Sequence, residues 1–144
     1  MLAPLSRERL ELLDSRASYH RVALDRDTVV GFLLAFGSET DHDSVNFCWF
    51  AARYASLLYV DRVVVCAARQ GSGIGGLLYD DLFAFARDGG YQRVTCEIDA
   101  APVNLRSERF HERFGFHVVG SEQVEYVAGQ SKRVSLRCAE LAGS

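Results

Sequence analysis

The alternation of apolar and polar residues divides the chain into short helices and strands. Apolar positions behind Ser6 recur at a helical spacing, which predicts a helix from residue 6 to about residue 18. Residues 21–37 are rich in β-branched and aromatic side chains and are split by the polar residues 25–27, which predicts a β-hairpin. A polar loop follows, and a short helix capped by Ser44 is predicted in the second half of residues 38–54.

The middle of the chain alternates strands and helices. Residues 57–67 form a long β-branched run that predicts a buried strand, and residues 93–100 predict another. Between them, the apolar spacing of residues 74–87 predicts a helix that ends at Gly89 and Gly90. Pro102 is expected to open a further helix that ends at Gly115. Two antiparallel strands joined by residues 128–131 complete the chain.

This order of elements predicts the α/β class, with a mixed sheet of about six strands flanked by helices. The strand–helix–strand units in the middle of the chain favour parallel pairing there. A chain of 144 residues is about the length of one domain and can bury a sizeable core. We therefore expect a single domain over residues 1–144.

Composition and charge exclude several classes of function. A formal net charge of −3 offers no strong field to nucleic acid or to an anionic membrane. The apolar runs are too short to span a bilayer and no secretory signal is visible, so a cytoplasmic protein with reduced cysteines is expected. Asp41, His42 and Asp43 suggest a metal site, but no further ligand follows at a useful spacing, and no metal is expected.

The stretch between the predicted strand at 57–67 and the helix at 74–87 carries the strongest chemical signal. Gly71, Gly73 and Gly76 spell G-x-G-x-x-G, the dinucleotide-binding fingerprint. The β-branched run itself ends near Val65, so residues 66–70 separate it from Gly71, and no acidic residue ends the next strand at the required distance, which disfavours a nicotinamide cofactor. Successive glycines at a helix N-terminus still favour a pyrophosphate ligand. The alternative is a turn needed only for packing.

Grouped differently, residues 70–75 match Q/R-x-x-G-x-G/A and resemble the acetyl-CoA-binding loop of the GNAT superfamily of N-acetyltransferases. Residues 104–116, NLRSERFHERFGF, resemble a later helix of the same family, in which Asn104, Ser107 and His111 share one face. The resemblance spans about residues 57–116. The short strand that usually opens the family is either missing here or formed by the first few residues.

The resemblance implies acetyl-CoA as the donor and a primary amine, most simply of a small molecule, as the acceptor, with direct transfer between them. It also implies a splayed pair of parallel strands whose main chain binds the coenzyme A arm. The residues expected to contact the donor are Val63, Val64, Val65, Gln70, Gly71, Ser72, Gly73, Ile74, Gly75, Gly76, Asn104, Ser107 and His111.

Three residues are candidates for proton transfer. His111 stands where the family often has a tyrosine, and it would either protonate the departing thiolate or only hydrogen-bond its neighbours. Asp61 is the first candidate for the general base, because a carboxylate in an apolar run has a raised pKa, and Glu97 is the second. The alternative for Asp61 is an ion pair with an arginine such as Arg62.

The resemblance also implies that the acceptor pocket forms along residues 38–54. Phe47, Trp49, Phe50 and Tyr54 could wall a pocket for an apolar amine, or they could simply pack in the core. Two other functions stay open, namely a non-catalytic module that binds acyl-CoA and an acetyltransferase that acts on protein amines. An exposed edge of the last two strands could also pair in a homodimer.

Overall fold

The computed structural model describes residues 17–141, and of Tyr126 and Val127 it describes the backbone alone. The helix predicted over residues 6–18 lies outside the described residues except for its last two positions, which are not helical. Any strand formed by the first few residues lies outside them as well.

One six-stranded mixed sheet organises the described chain, which confirms the predicted class. The strands are β1 Tyr19–Asp25, β2 Thr28–Gly37, β3 Leu57–Val65, β4 Arg93–Asp99, β5 His117–Val127 and β6 Gln130–Glu140. Their order across the sheet is β1-β2-β3-β4-β6-β5. Every neighbouring pair is antiparallel except β3 and β4, which are joined through a helix and run parallel.

Three α-helices connect these strands: α1 Val45–Arg53, α2 Ile74–Asp88 and α3 Leu105–Arg113. Ser44 caps α1 as predicted, because its hydroxyl accepts the Phe47 N–H. The start of α3 was predicted wrongly. Pro102 precedes the helix rather than opening it, and the Asn104 side chain caps it by accepting the Ser107 N–H.

The sheet is covered on both faces, and side-chain alternation assigns each helix to one of them. Leu58 of β3 packs in the cluster that contains Leu82 of α2. The next residue, Tyr59, packs in a separate cluster with Phe50 of α1. Successive residues of a strand point to opposite faces, so α2 and α1 lie on opposite sides of the sheet. We call these sides the α2 face and the α1 face.

The parallel pair at the centre of the sheet comes apart after a short distance. β3 and β4 pair only through Leu57–Tyr59 with Arg93–Thr95. Beyond Tyr59, β3 continues to pair with β2, and β4 continues to pair with β6. The two strands therefore splay at mid-sheet, as the family resemblance implied.

A substitution at Gly120 tests how α1 packs on the sheet. A Cβ added at Gly120 would stand 2.7 Å from Cζ2 of the Trp49 ring, and Arg53 stacks on that ring at 3.9 Å. We expect Gly120→Ala to destabilise the protein by about 1–3 kcal/mol in urea unfolding, because a packed indole must shift. Val118→Ala on the same strand, where the side chain is exposed, should change stability by less than about 0.5 kcal/mol. Equal unfolding midpoints for the two variants would contradict this account.

Candidate active site

A cleft of about 1130 Å³ opens where β3 and β4 separate. Residues from both faces of the sheet line it. Tyr79 and His111 approach from the α2 face, while Asn46 and Glu97 approach from the α1 face. The splay therefore makes a passage through the sheet, and a molecule entering from one side can reach a group that enters from the other.

The free edge of β3 presents main-chain groups to this cleft. The Cys66 N–H donates to a β2 carbonyl at 2.8 Å, and the Val64 carbonyl lies against Gly31 of β2. Since main-chain groups alternate in direction along a strand, those of Val63 and Val65 point away from β2 and toward β4. Of the three valines predicted to contact the donor, two turn their main chain away from β2, Val63 in the lining of the cleft and Val65 beyond it, and Val64 faces β2.

The glycine loop holds backbone conformations that favour glycine. Gly71 has φ +86° and Gly73, the N-terminal cap of α2, has φ +91°. A Cβ on Gly73 or Gly76 would meet nothing within 4 Å. Packing within the described chain therefore does not require a glycine at position 76, and the space over the start of α2 is open. The Gln70 side chain ties this loop to the end of β3 by donating to the Val65 carbonyl at 3.3 Å.

The remaining loop residues have structural contacts of their own. The Ser72 hydroxyl donates to the Arg69 carbonyl, and Ile74 packs on the core cluster of the α2 face. A Cβ on Gly75 would stand 3.8 Å from the Phe110 ring, an ordinary contact distance. These residues shape the loop from within.

Asn104, Ser107 and His111 line the cleft together, as their helical spacing predicted. His111 is 7% exposed, and its Nδ1 lies 2.7 Å from the Ser107 carbonyl oxygen. A carbonyl only accepts hydrogen bonds, so Nδ1 carries the hydrogen and Nε2 is left as an acceptor. Burial lowers the pKa of His111, which keeps the ring neutral at pH 7. The resting imidazole is therefore a proton acceptor.

Asp61 lies at an irregularity of β3 and, two residues after Tyr59, points toward the α1 face. Leu34 pairs with Arg62 and the next β2 residue pairs with Val60, so Asp61 is the extra residue of a bulge. Its carboxylate accepts the Nε2–H of His42 at 2.9 Å and lies 3.5 Å from Nε of Arg62. The hydrogen bond and the ion pair occupy both oxygens of the Asp61 carboxylate.

His42 belongs to this site although the sequence suggested it only as a metal ligand. Its ring stacks on Phe36 at 4.1 Å between centroids and is 7% exposed. Nδ1 lies 3.7 Å from the carboxylate of Asp43. Among residues 17–141, no three histidine, cysteine or acidic side chains form a group that could hold a metal ion.

Glu97 of β4 is the titratable group at the centre of the cleft. The Tyr59 hydroxyl donates to its carboxylate, with oxygen–oxygen distances of 2.8 and 2.7 Å. The side chain of Asn46 adds a hydrogen bond from the first turn of α1. Desolvation outweighs both and raises the pKa of Glu97 to about 7, with a smaller contribution from nearby Asp61. A carboxyl group with this pKa can take up and release a proton at neutral pH.

The four aromatic residues predicted to wall an acceptor pocket do not line the cleft. Phe47 and Phe50 are 4% and 0% exposed and form the core between α1 and the sheet. Trp49 packs over Gly120, and Tyr54 lies under the guanidinium of Arg93 at 5.2 Å. Their apolar surface packs within the protein, in agreement with the alternative that these residues serve the core rather than an acceptor pocket.

The fold is a mixed sheet whose two central parallel strands splay apart over a cleft that is lined from both faces. The model of the acetyltransferase (GNAT) family matches residues 3–116, most of the chain, so the chain belongs to that family. No curated protein matches the sequence significantly. In the part of the chain from residue 17 to residue 141, no helix has the length and apolar character needed to cross a bilayer.

Solved structures of low sequence identity share the fold. A GNAT family acetyltransferase from Elizabethkingia anophelis with acetyl-CoA bound is 14% identical, with a TM-score of 0.69 over 96% of this chain and 86% of that one. An acetyltransferase from Bacillus subtilis in complex with CoA is 13% identical, with a TM-score of 0.69 over 96% and 86%. A ribosomal-protein-alanine N-acetyltransferase from Brucella melitensis is 22% identical, with a TM-score of 0.70 over 93% and 77%.

The raised pKa of Glu97 predicts a specific dependence of stability on pH. Between pH 4.5 and about 7 the folded state holds a proton on Glu97 that the unfolded state has lost, so rising pH destabilises the wild type across this window. Glu97→Gln cannot ionise. It should equal the wild type at low pH and exceed its unfolding free energy above pH 7 by up to about 3 kcal/mol.

Urea unfolding at a series of pH values measures this difference. Glu112→Gln, a change at an exposed glutamate of α3, serves as the control and should follow the wild-type curve. A constant offset between Glu97→Gln and the wild type at every pH would show that Glu97 titrates normally.

Proposed function

We propose that this protein transfers the acetyl group of acetyl-CoA to the amine of a small molecule by direct attack. The observation that carries the proposal is the passage between β3 and β4. Outward-facing main-chain groups of β3 run along it toward the open glycine loop beyond the end of the strand, and a carboxyl group of neutral pKa borders it on the α1 side. The ligands in the Elizabethkingia and Bacillus structures support the same donor here.

The residues present fit the donor. The first N–H groups of α2 lie behind Gly73 with open space above them, and the helix dipole favours a diphosphate there. Val63 and Val65 can pair with the amides of the pantetheine arm as an added strand would. Acetyl-CoA supplies a thioester whose carbonyl carbon accepts a nucleophile.

The main chain of β3 also supports the reaction at the carbonyl. We propose that an outward-facing N–H of β3, nearer to Glu97 than Val65 is, donates to the thioester oxygen as negative charge develops on it. A preorganised donor of this kind is worth about 2.7–4 kcal/mol in other acyl-transfer enzymes. The N–H is held by the β3 backbone, so it needs no reorganisation during the reaction.

Glu97 is the better candidate for the general base. Asp61, the first choice from the sequence, is committed to His42 and Arg62, whereas Glu97 has a pKa near neutrality. Ionised Glu97 takes one proton from the acceptor's ammonium group. The freed nitrogen lone pair forms the bond to the carbonyl carbon, the carbon–sulfur bond breaks, and the thiolate receives the second nitrogen proton.

His111 is placed at the donor end of the cleft. To act as the general acid it must first gain a proton at Nε2, which its lowered pKa disfavours at pH 7. The geometry therefore favours His111 as an acceptor of a hydrogen bond from the donor substrate over the role of acid. Its ring also packs edge-on against Tyr79 at 5.9 Å and so shapes the wall of the cleft.

A small-molecule acceptor is favoured over a protein amine. Glu97 is half-buried and hydrogen-bonded by a residue of α1, so an amine must pass this helix to reach it. The Brucella enzyme, whose name states a ribosomal-protein acceptor, shares only the fold with this chain. The homodimer and the cytoplasmic location expected from the sequence stay predictions.

Gly73 tests the donor site. Gly73→Ala should weaken acetyl-CoA binding at least about tenfold, because an alanine at φ +91° strains the loop that presents the helix N–H groups. Isothermal titration calorimetry with acetyl-CoA measures the loss. Gly129→Ala is a matched control, since Gly129 has φ +79°, open space around it and a place in the distant β5–β6 turn. Equal affinities for the two variants would contradict the proposed site.

Substitution of Glu97 tests its assignment as the general base. With a panel of primary amines, release of coenzyme A should increase with pH through about 7 in the wild type, because the base must be ionised. Glu97→Gln should lower kcat/KM about 10²–10⁴-fold and remove this inflection. Asp61→Asn should keep it. An inflection that persists in Glu97→Gln and disappears in Asp61→Asn would reverse the assignment of the base.

A further inference from the structure

One buried polar atom beside the cleft, Oδ1 of Asn46, lacks a hydrogen-bond partner in the described part of the chain. Asn46 is 7% exposed in the first turn of α1, and its side chain lines the cleft. Its amide hydrogen-bonds Glu97, yet its Oδ1 is buried without a hydrogen-bond partner in the described part of the chain. Leaving a buried acceptor unpaired is strongly unfavourable, so its retention beside the base needs an explanation.

The chemistry of the surroundings restricts what can pair with this atom. An amide oxygen only accepts hydrogen bonds, so its partner must be a donor. The neighbouring Tyr59 hydroxyl is directed at Glu97 instead. Asp61 lines the same cleft, but its carboxylate is already paired with His42 and Arg62. A donor that enters between the Glu97 carboxylate and the Asn46 amide oxygen is favoured when it carries positive charge and at least two hydrogens.

We infer that Asn46 Oδ1 and the Glu97 carboxylate together form the binding site for the acceptor's ammonium group. In this site Asn46 selects amines over alcohols and quaternary cations. This inference rests on the proposed function. One N–H faces Glu97 and is transferred to it. A second N–H stays on Asn46 Oδ1, which holds the nitrogen in place while its lone pair attacks. An alcohol has one hydrogen and can satisfy only one of the two groups.

Two exposed valines that line the cleft indicate the polarity of the rest of the acceptor. Val45, the residue before Asn46, is 64% exposed, and Val103 in the segment before α3 is 65% exposed. Both line the cleft. Exposed apolar side chains beside a site that binds an ammonium group fit an acceptor whose amine is attached to an apolar body.

Binding of three probes of similar length tests the role of Asn46 without knowledge of the natural acceptor. The probes are n-hexylammonium, n-hexyltrimethylammonium and 1-hexanol, and their dissociation constants are measured by NMR titration. The wild type should bind n-hexylammonium at least about tenfold more tightly than either of the others, and the ammonium should shift the Asn46 side-chain amide signals.

Variants at position 46 separate selection from general damage. Asn46→Leu should weaken n-hexylammonium binding about tenfold and leave n-hexyltrimethylammonium within about twofold. Asn46→Asp keeps an acceptor oxygen and should retain the discrimination. Asn46→Ala also lacks that oxygen and should lose the discrimination, which preserves the test if Asn46→Leu does not fold. Ala52→Gln, at an exposed position of the same helix, should behave like the wild type.

Two outcomes overturn the inference: no preference for n-hexylammonium in the wild type, or an unchanged preference in Asn46→Leu. Calorimetry with acetyl-CoA on the same proteins reports separately on the proposed function. If the wild type discriminates among the probes but does not bind acetyl-CoA, the ammonium-binding site is supported and the acetyltransferase proposal fails. If acetyl-CoA binds and the probes are not distinguished, only the role of Asn46 is overturned.

Discussion

The site depends on the early separation of β3 from β4. Parallel pairing through only Leu57–Tyr59 and Arg93–Thr95 holds the centre of the sheet closed. The rest of each strand is stabilised from its other side, β3 by β2 and β4 by β6. The sheet can therefore open without losing its continuity. The opening leaves strand edges whose main-chain groups are free to bind a ligand, where a fully paired sheet would have none.

Because the opening passes through the sheet, the two faces can carry different chemistry. On the α2 face, the glycine loop and His111 present hydrogen-bond donors and a neutral imidazole. On the α1 face, Glu97 and Asp61 present carboxylates. Asp61 follows Tyr59 by two residues, so strand alternation places it on the same face, and the bulge at Asp61 interrupts its pairing with β2. The proposed function accordingly places an anionic donor and a cationic acceptor on opposite sides of the sheet.

The sequence predicted what local patterns determine and missed what tertiary contacts determine. The strands, α2 and the shared face of Asn104, Ser107 and His111 follow from periodicity and glycine placement, and they agree with the structure. Pro102 misplaced the start of α3, because the cap that decides it is the Asn104 side chain. Asn46 gave no signal, because an asparagine in a first helical turn is unremarkable until the position of Glu97 across the sheet is known.

The burial that raises the pKa of Glu97 also favours the proton transfer the proposed reaction needs. When an ammonium group binds beside an ionised Glu97, two opposite charges stand in a poorly solvated cleft. Moving the proton from nitrogen to the carboxylate turns this ion pair into two neutral groups, and a low-dielectric environment penalises the neutral pair less. The desolvation that makes Glu97 costly to ionise therefore lowers the cost of producing a free amine. Tyr59 and Asn46 counter part of this desolvation, since both favour the charged carboxylate. The balance leaves Glu97 with a pKa of about 7, where both the charged form that accepts the proton and the neutral form that results are accessible.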